Sequence, residues 1–538
     1  MPSKVFLAIT AAAVLTAACS ESGDAGGAQV ETEKPALELP AHQRQSAWFT
    51  GGRDATEAAG RVMINNTPGA AKNIILFVGD GMGISTVTAA RIFAGQQRGM
   101  SGEEYQLSFE KMPFAGLIKT YNTNQQTPDS AGTATAMMAG LKTKAGVLNV
   151  AEDVPRGDCR ASRQRPLVTA LELAESLGKS TGVVSTARIT HATPASTYAK
   201  VPERSWESDD GLSNDAQENG CLDIAAQMVA LDAGDGIDVA MGGGRRHFLP
   251  QSVTDREGKA GRRQDGRNLV QEWQQRYDDG ATRAVYIEDQ AGFDSVDVAA
   301  TDKLLGLFES SHMRYEADRD NDVAGEPSLA QMTGKTLALL EKNPKGYFLM
   351  VESGRIDHGH HAGNAYNALN DAVEFAEAIQ VAMDRTSAED TLIIVTADHS
   401  HVLTIAGYPT RGNPILGKVV LNDSRGEPQS APATAEDGLP FTTLSYANGR
   451  GFADRGGETD ADVRYGLPAA AGRHDLGNVD TTAPGFHQEA LVPLGGETHA
   501  GEDVGIWARG PGAHLLSGTH EQSYIFHVMA HSGGLLAD

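Results

Sequence analysis

The stretch Asn73-Ile74-Ile75-Leu76-Phe77-Val78-Gly79-Asp80-Gly81-Met82-Gly83 decides the fold: a short apolar run that ends at once in a glycine-rich turn. Runs of the same kind recur at Thr181–Val184, Val239–Met241, Phe348–Val351 and Leu392–Val395, with helical patterns between them. That alternation predicts βαβ units and an α/β fold around a mostly parallel sheet. Polar or glycine-rich turns follow four of the runs: Gly79-Asp80-Gly81, Ser185-Thr186, Gly242-Gly243-Gly244 and Thr396-Ala397-Asp398-His399. Ligands of such sheets collect at the carboxyl ends of the strands. Asp80 and the cluster around Asp398 therefore stand where chemistry is expected.

Working outward, the 538 residues suffice for a large core, and 40% apolar with 21% charged residues is a globular composition that excludes disordered, collagen-like and disulfide-scaffold chains. Seventy acidic residues against 45 basic ones leave a formal charge of -25 with no basic patch, which excludes nucleic acid as a partner. Small anionic substrates stay open, because metal ions in a pocket reverse the local field.

Residues 1–18 read as a signal peptide, with Lys4 in the charged region, Val5 to Leu15 apolar, and Thr16-Ala17-Ala18 as small residues before Cys19. Leu15-Thr16-Ala17-Ala18-Cys19 resembles a bacterial lipobox, which implies lipidation at Cys19 and a tether over 19–46. An ordinary cleaved secretion signal and an uncleaved anchor are the alternatives. In each case the body is exported, facing the periplasm or the cell surface. Cys159 and Cys221 can pair in such a compartment, the alternative being two separate buried thiols. Two segments break the α/β rhythm, 247–326, rich in Asp and Glu, and 407–495, rich in Gly, Pro, Asp and Thr; both read as insertions or a small subdomain.

The chemistry gathers in a few motifs. Asp80 interrupts the glycines of its turn, so it would repel a pyrophosphate and is suited to a cation. In Asp357-His358-Gly359-His360-His361 a helical turn places Asp357 and His361 on one face, a carboxylate and an imidazole suited to zinc. Asp398-His399-Ser400-His401 repeats the pattern, and two such clusters point to a two-metal site that clamps the attacking and leaving oxygens of an in-line displacement. Asp129 reads as the cap of a small-residue helix beginning at Ser130, whose free N–H groups favour a phosphate or an alkoxide. Beside metal ions the Ser130 hydroxyl becomes a plausible nucleophile.

Taken in chain order, Asn73 to Ala90, Asp129 to Gly140, His191-Ala192-Thr193-Pro194, Glu352 to His361, Thr396 to His401 and Glu497 to Asp503 resemble the alkaline phosphatase family. The resemblance runs from about residue 70 to 532. It implies a three-layer α/β/α sandwich and hydrolysis of phosphate monoesters through a phosphoserine. Ser130 matches the nucleophile and Arg204 the guanidinium that holds two phosphate oxygens. Asp357, His361 and His499 would hold one zinc, Asp80, Asp398 and His399 the other, and Asp80, Thr193 and Glu352 a magnesium. His401 would orient Asp357 rather than bind metal. His191 and His358 resemble the animal-type branch, where the common bacterial type has Asp and Lys, and the cysteine pair falls where that branch has a disulfide. Phe308-Glu309 resembles part of that branch's calcium site, with the Phe308 carbonyl as one ligand and Glu257 and Glu326 as candidates for the rest. The core would span 47–406 and 496–538, with 407–495 as a crown-like subdomain and a homodimer as the assembly. Phosphodiesterases, sulfatases and phosphoglycerate mutases share the metal core, but Arg204 and the third metal set favour a monoester. A binding lipoprotein without activity is the rival of another class, and it leaves the filled catalytic positions unexplained.

Overall fold

The computed structural model describes residues 45–470 and 472–536. The signal segment 1–18, Cys19 and the tether as far as residue 44 lie outside the described residues. The chain forms two compact units, one ending at Val62 and one running from Met63 to Asp538. In the first, helix α1 spans Ala47–Ala59.

The second unit is built on ten strands: β1 (Asn73–Gly79), β2 (Phe114–Lys119), β3 (Ser180–Arg188), β4 (Val239–Gly243), β5 (Ala284–Ile287), β6 (Lys303–Leu307), β7 (Tyr347–Ser353), β8 (Thr391–Ala397), β9 (Val504–Arg509) and β10 (Gly518–Glu521). They form one sheet in the order β10-β2-β9-β8-β1-β7-β3-β4-β6-β5. Only β9 runs against its neighbours β8 and β2. All five apolar runs read from the sequence are strands of this sheet. Ile74 to Val78 in β1, and β7 and β8 throughout, are buried. They read as continuous apolar runs because the sheet is covered on both faces.

Helices pack around the sheet: α2 (Ile84–Gln97), α3 (Ser130–Ala139), α4 (Ala192–Ala195), α5 (Leu329–Leu340), α6 (Arg355–His361), α7 (Ala365–Arg385) and α8 (Tyr524–Gly533). The longest, α7, buries Ala368, Leu369, Ala372, Phe375, Ala376 and Ile379, a helical stripe. Phe375 meets Phe77 of β1 edge to face, with ring centroids 5.9 Å apart.

The acidic segment 247–326 contributes β5 and β6, the last two strands of the sheet. These are runs of four and five residues set among charged ones, too short to stand out in composition. Within 407–495, Leu444–Gly449 and Ala490–Pro493 join Leu403–Ile405 in a three-stranded sheet, and Ala453–Asp454 pairs with Phe486–His487. Cys159 and Cys221 are joined by a disulfide that closes 62 residues of chain, with Cα atoms 6.0 Å apart. Closing a loop of that length removes unfolded-state entropy amounting to about 4 kcal/mol.

Candidate active site

Three adjacent parallel strands in the middle of the sheet bring three carboxylates together at their carboxyl ends. β1 lies between β7 and β8, with Val78 opposite both Glu352 and Thr396, so Asp80, Glu352 and Asp398 emerge side by side. The turn after β1 requires glycine at 81. Its φ is +69°, and a Cβ there would run into the His401 ring. The freed Gly81 N–H donates to Asp398 Oδ1 at 3.0 Å. The expected helix after β7 is α6, and it places Asp357 and His361 on one face, Oδ1 and Nε2 3.3 Å apart.

The nitrogen atoms that face one another are fixed by their opposite sides. His361 Nδ1 donates to the Glu497 carbonyl at 2.6 Å, and His499 Nδ1 to the Pro128 carbonyl at 2.8 Å. Each Nε2 therefore carries a lone pair. These two atoms lie 3.1 Å apart, and His499 Nε2 is 3.4 Å from Asp357 Oδ1. His399 Nε2 lies 3.4 Å from Asp80 Oδ1 and 3.3 Å from Asp398 Oδ2. Ligands about 2.0 Å from a tetrahedral zinc stand about 3.3 Å from one another, so both sets have the spacing of a zinc shell. Both oxygens of Asp80, Oδ2 of Asp398, Oε1 of Glu352 and the Thr193 hydroxyl are buried without a hydrogen-bond partner. Orphaned anionic oxygens gathered this way fit cations. Asp80, Glu352 and His191 form a third group, and Thr193 stands in α4, which begins directly after His191.

Ser130 opens α3, its hydroxyl 3.1 Å from His399 Nε2. Asp129 caps the helix as expected, accepting from Gly132 N–H at 3.2 Å. It also accepts from Gly146 N–H at 2.9 Å and from Arg204 Nη1 at 3.0 Å. The other arm of Arg204 donates to His191 Nε2 at 3.1 Å. Burial works against its ionisation, but Arg204 and the two N–H groups hold the Asp129 carboxyl below the usual range. Asp129 thus aims the guanidinium.

Burial, then the charges of Asp398, Asp357 and Glu352, push the Asp80 carboxyl well above the ordinary range. Glu352 is pushed up to about 8, burial again first. His401 lies between Asp357 Oδ1 at 2.7 Å and Glu497 Oε2 at 2.5 Å. Against the burial that opposes charge, these carboxylates raise it to about 10, so both its nitrogens donate and it braces Asp357. Burial pushes His191 and His312 well below their usual range and His358 down to about 3, which leaves all three neutral.

The acidic group nearby comprises Glu257, Glu309 and Asp322. Glu326 stands outside it, bound through Oε1 to the Arg314 N–H at 2.7 Å, and the Phe308 carbonyl accepts from Arg245 Nη1 at 3.2 Å. Sequence reasoning passed over Asp322, Glu497, His312 and Ser185, whose hydroxyl donates to Glu352. Glu497 opens the quoted motif that carries His499, and that position was its only signal.

With this geometry in place, the comparisons decide the family. The alkaline phosphatase family model matches residues 71–535. The chain belongs to the alkaline phosphatase family. The tissue-nonspecific alkaline phosphatase of Gallus gallus is 45% identical over 468 residues, 86% of this chain and 84% of that one. The Homo sapiens isozyme is 44% identical, covering 86% and 83%. Among solved structures, the Thermus thermophilus alkaline phosphatase has a TM-score of 0.59 at 23% identity, covering 93% of this chain and 97% of that one. The TAB5 alkaline phosphatase has a TM-score of 0.55 at 23% identity, covering 88% and 100%. These structures share the fold, and the identity to the animal isozymes places this alkaline phosphatase in the animal-type branch.

Proposed function

We propose that this alkaline phosphatase hydrolyses phosphate monoesters through a phosphoserine on Ser130, at a site for two zinc ions and one magnesium ion. The observation that carries the reading is the shell spacing of Asp357, His361 and His499 and of Asp80, Asp398 and His399, with Ser130 against the second set. Asp80, Thr193 and Glu352 would hold the magnesium. Bound there, the ions lower the pKa of the Ser130 hydroxyl and of water and offset charge on the departing oxygen.

Arg204, aimed by Asp129 and His191, holds two oxygens of the phosphoryl group in its fork. Ser130 Oγ gives up its proton to solvent and attacks phosphorus in line; the P–O ester bond breaks and the departing alcohol takes a proton from solvent. The amino end of α3 favours the negative charge. Water then attacks the phosphoserine from the opposite face, releasing inorganic phosphate and restoring Ser130. His401 keeps Asp357 oriented throughout.

The acidic group of Glu257 and Glu309, with Asp322, supports a calcium site; the Phe308 carbonyl and Glu326 stay candidates for its remaining ligands. We read 407–495 as a crown-like insertion in a core of 47–406 and 496–538, and the protein as a homodimer. Tyr408, Leu491 and Val492, exposed at 93%, 79% and 48%, support an apolar contact there. The signal-like start of the chain and the disulfide support export, with Cys19 as the lipid anchor. Among the described residues no helix is long and apolar enough to cross a membrane.

Acid quenching during turnover of a labelled monoester tests the mechanism. The parent should retain label on Ser130. Ser130→Ala should retain none while keeping its zinc, and label trapped in that variant would refute the assignment.

A further inference from the structure

Beside the third ligand group lies an imidazole that the mechanism above does not use. The His312 ring centroid is 4.0 Å from that of His358 and 5.4 Å from that of His191, which are themselves 5.7 Å apart. His312 sits against the end of β3: its Nδ1 lies 3.2 Å from the Arg188 backbone N and its Nε2 against the Arg188 guanidinium, and the neutral ring accepts from one of these two donors. That guanidinium is itself gripped by Glu207 at 2.6 and 2.7 Å. His312 also lines a polar cavity of about 190 Å³, together with Glu309, Ser311, Arg314, Arg355 and Asp462. The ring thus stands between this cavity and the two histidines of the site.

What His191 does makes this placement matter. A guanidinium can only donate, so His191 Nε2 accepts from Arg204 and its proton sits on Nδ1. That Nδ1 is buried without a protein partner, and His191 lies within reach of the Asp80 and Glu352 carboxylates. One ring therefore bonds the phosphate clamp and lies within 4.8 Å of the third group of ligand atoms, so a tilt of that ring disturbs both. His191 gains no hydrogen bond from His312. The rings of His312 and His358 stand against it on that side.

We infer that His312 is a positioning residue of the phosphatase site, holding His191 and His358 in place and through His191 setting both Arg204 and the third metal group. The inference rests on the magnesium site proposed above. Loss of the ring would join the cavity to the His191 side, admit water and free the imidazole to rotate. Groups that orient a metal's surroundings typically set its affinity by tenfold to a hundredfold, which sets the scale of the expected effect.

Titration calorimetry of magnesium and of inorganic phosphate into the zinc-loaded full chain tests it. His312→Ala should weaken both by about tenfold or more, with zinc content unchanged. His312→Phe, which keeps the bulk of the ring, should recover most of the loss; a merely folded protein would not distinguish the two substitutions. Parental affinities in His312→Ala overturn the inference, as does a Phe variant no better than the Ala one. Where His312→Ala fails to fold, His312→Gln, ringless but able to accept the Arg188 N–H, replaces it and is read the same way. Glu352→Gln separates the two levels. If it keeps parental magnesium affinity, the third-metal reading has failed; if it loses magnesium while His312→Ala does not, only the role of His312 has.

Discussion

Glu175 shows what a single buried carboxyl imposes on a protein as the pH rises. It is buried, its carboxyl accepts from the Thr181 hydroxyl, and burial followed by Asp238 raises it to about 8. A carboxyl whose folded pKa lies above its unfolded value takes up a proton on folding, so its contribution is present in acid and is lost as the pH rises from about 4.5 to about 8. Above that window the chain must bury a charge. Glu175→Gln, which keeps the shape without the charge, should leave the melting temperature nearly unchanged at about pH 5 and raise it at about pH 9. Equal effects at the two pH values in a calorimetric scan would show that Glu175 ionises freely. The same scale shows what the sequence discloses. Asp80, Asp357, His361, Asp398 and His399 were legible because each sits in a dense motif at a strand end. Glu497, Ser185 and His312 were not, because each acts across a long separation on a residue that the motif names. His401, for instance, meets Glu497 over 96 residues of chain.

At the scale of elements, the site depends on how tightly the β1 turn approaches the loop after β8. Gly81 and Gly99 have nearly equal left-handed backbones, with φ of +69° and +75°. They differ in surroundings: a Cβ at Gly99 meets nothing within 4 Å, whereas one at Gly81 meets the His401 ring. Gly99→Ala should therefore cost only the backbone term of about 1 kcal/mol and leave the metals bound. Gly81→Ala must also displace His401, which releases Asp357 from its brace, and should lower both the melting temperature and the zinc content. Zinc analysis of the two variants checks this, and equal retention would mean the turn can shift without disturbing the ligands. The element order was legible to the same degree as the periodicity that carries it. Strands β1, β3, β4, β7 and β8 announced themselves as apolar runs. The antiparallel β9 did not, and nothing in Val504–Arg509 gives its direction, which is set by pairing with β8 and β2.

For the molecule as a whole, folding without metal gathers carboxylates that would otherwise stay apart. Glu352 is held up to about 8, and Asp80 and Asp398 are raised as well, with burial the first cause in each and neighbouring carboxylates adding to it. Raised carboxyls bind protons on folding, so in metal-free protein their contribution is present in acid and is lost as the pH rises, for Glu352 between about 4.5 and about 8. Bound cations reverse this sense, since they require the same groups deprotonated and bind only the assembled site. The chelated protein should therefore melt at progressively lower temperature between about pH 5 and about pH 8, while protein reconstituted with zinc and magnesium holds or gains stability over that range. Other titrating groups contribute to both curves, so Glu352→Gln supplies the control: in the chelated state its curve should be flatter than the parent's. Scanning calorimetry across that window decides the matter. A parent curve no steeper than the variant's would mean that Glu352 ionises in the folded chain as easily as in the unfolded one, and that the ends of the central strands do not hold their carboxylates in mutual repulsion until a cation relieves it.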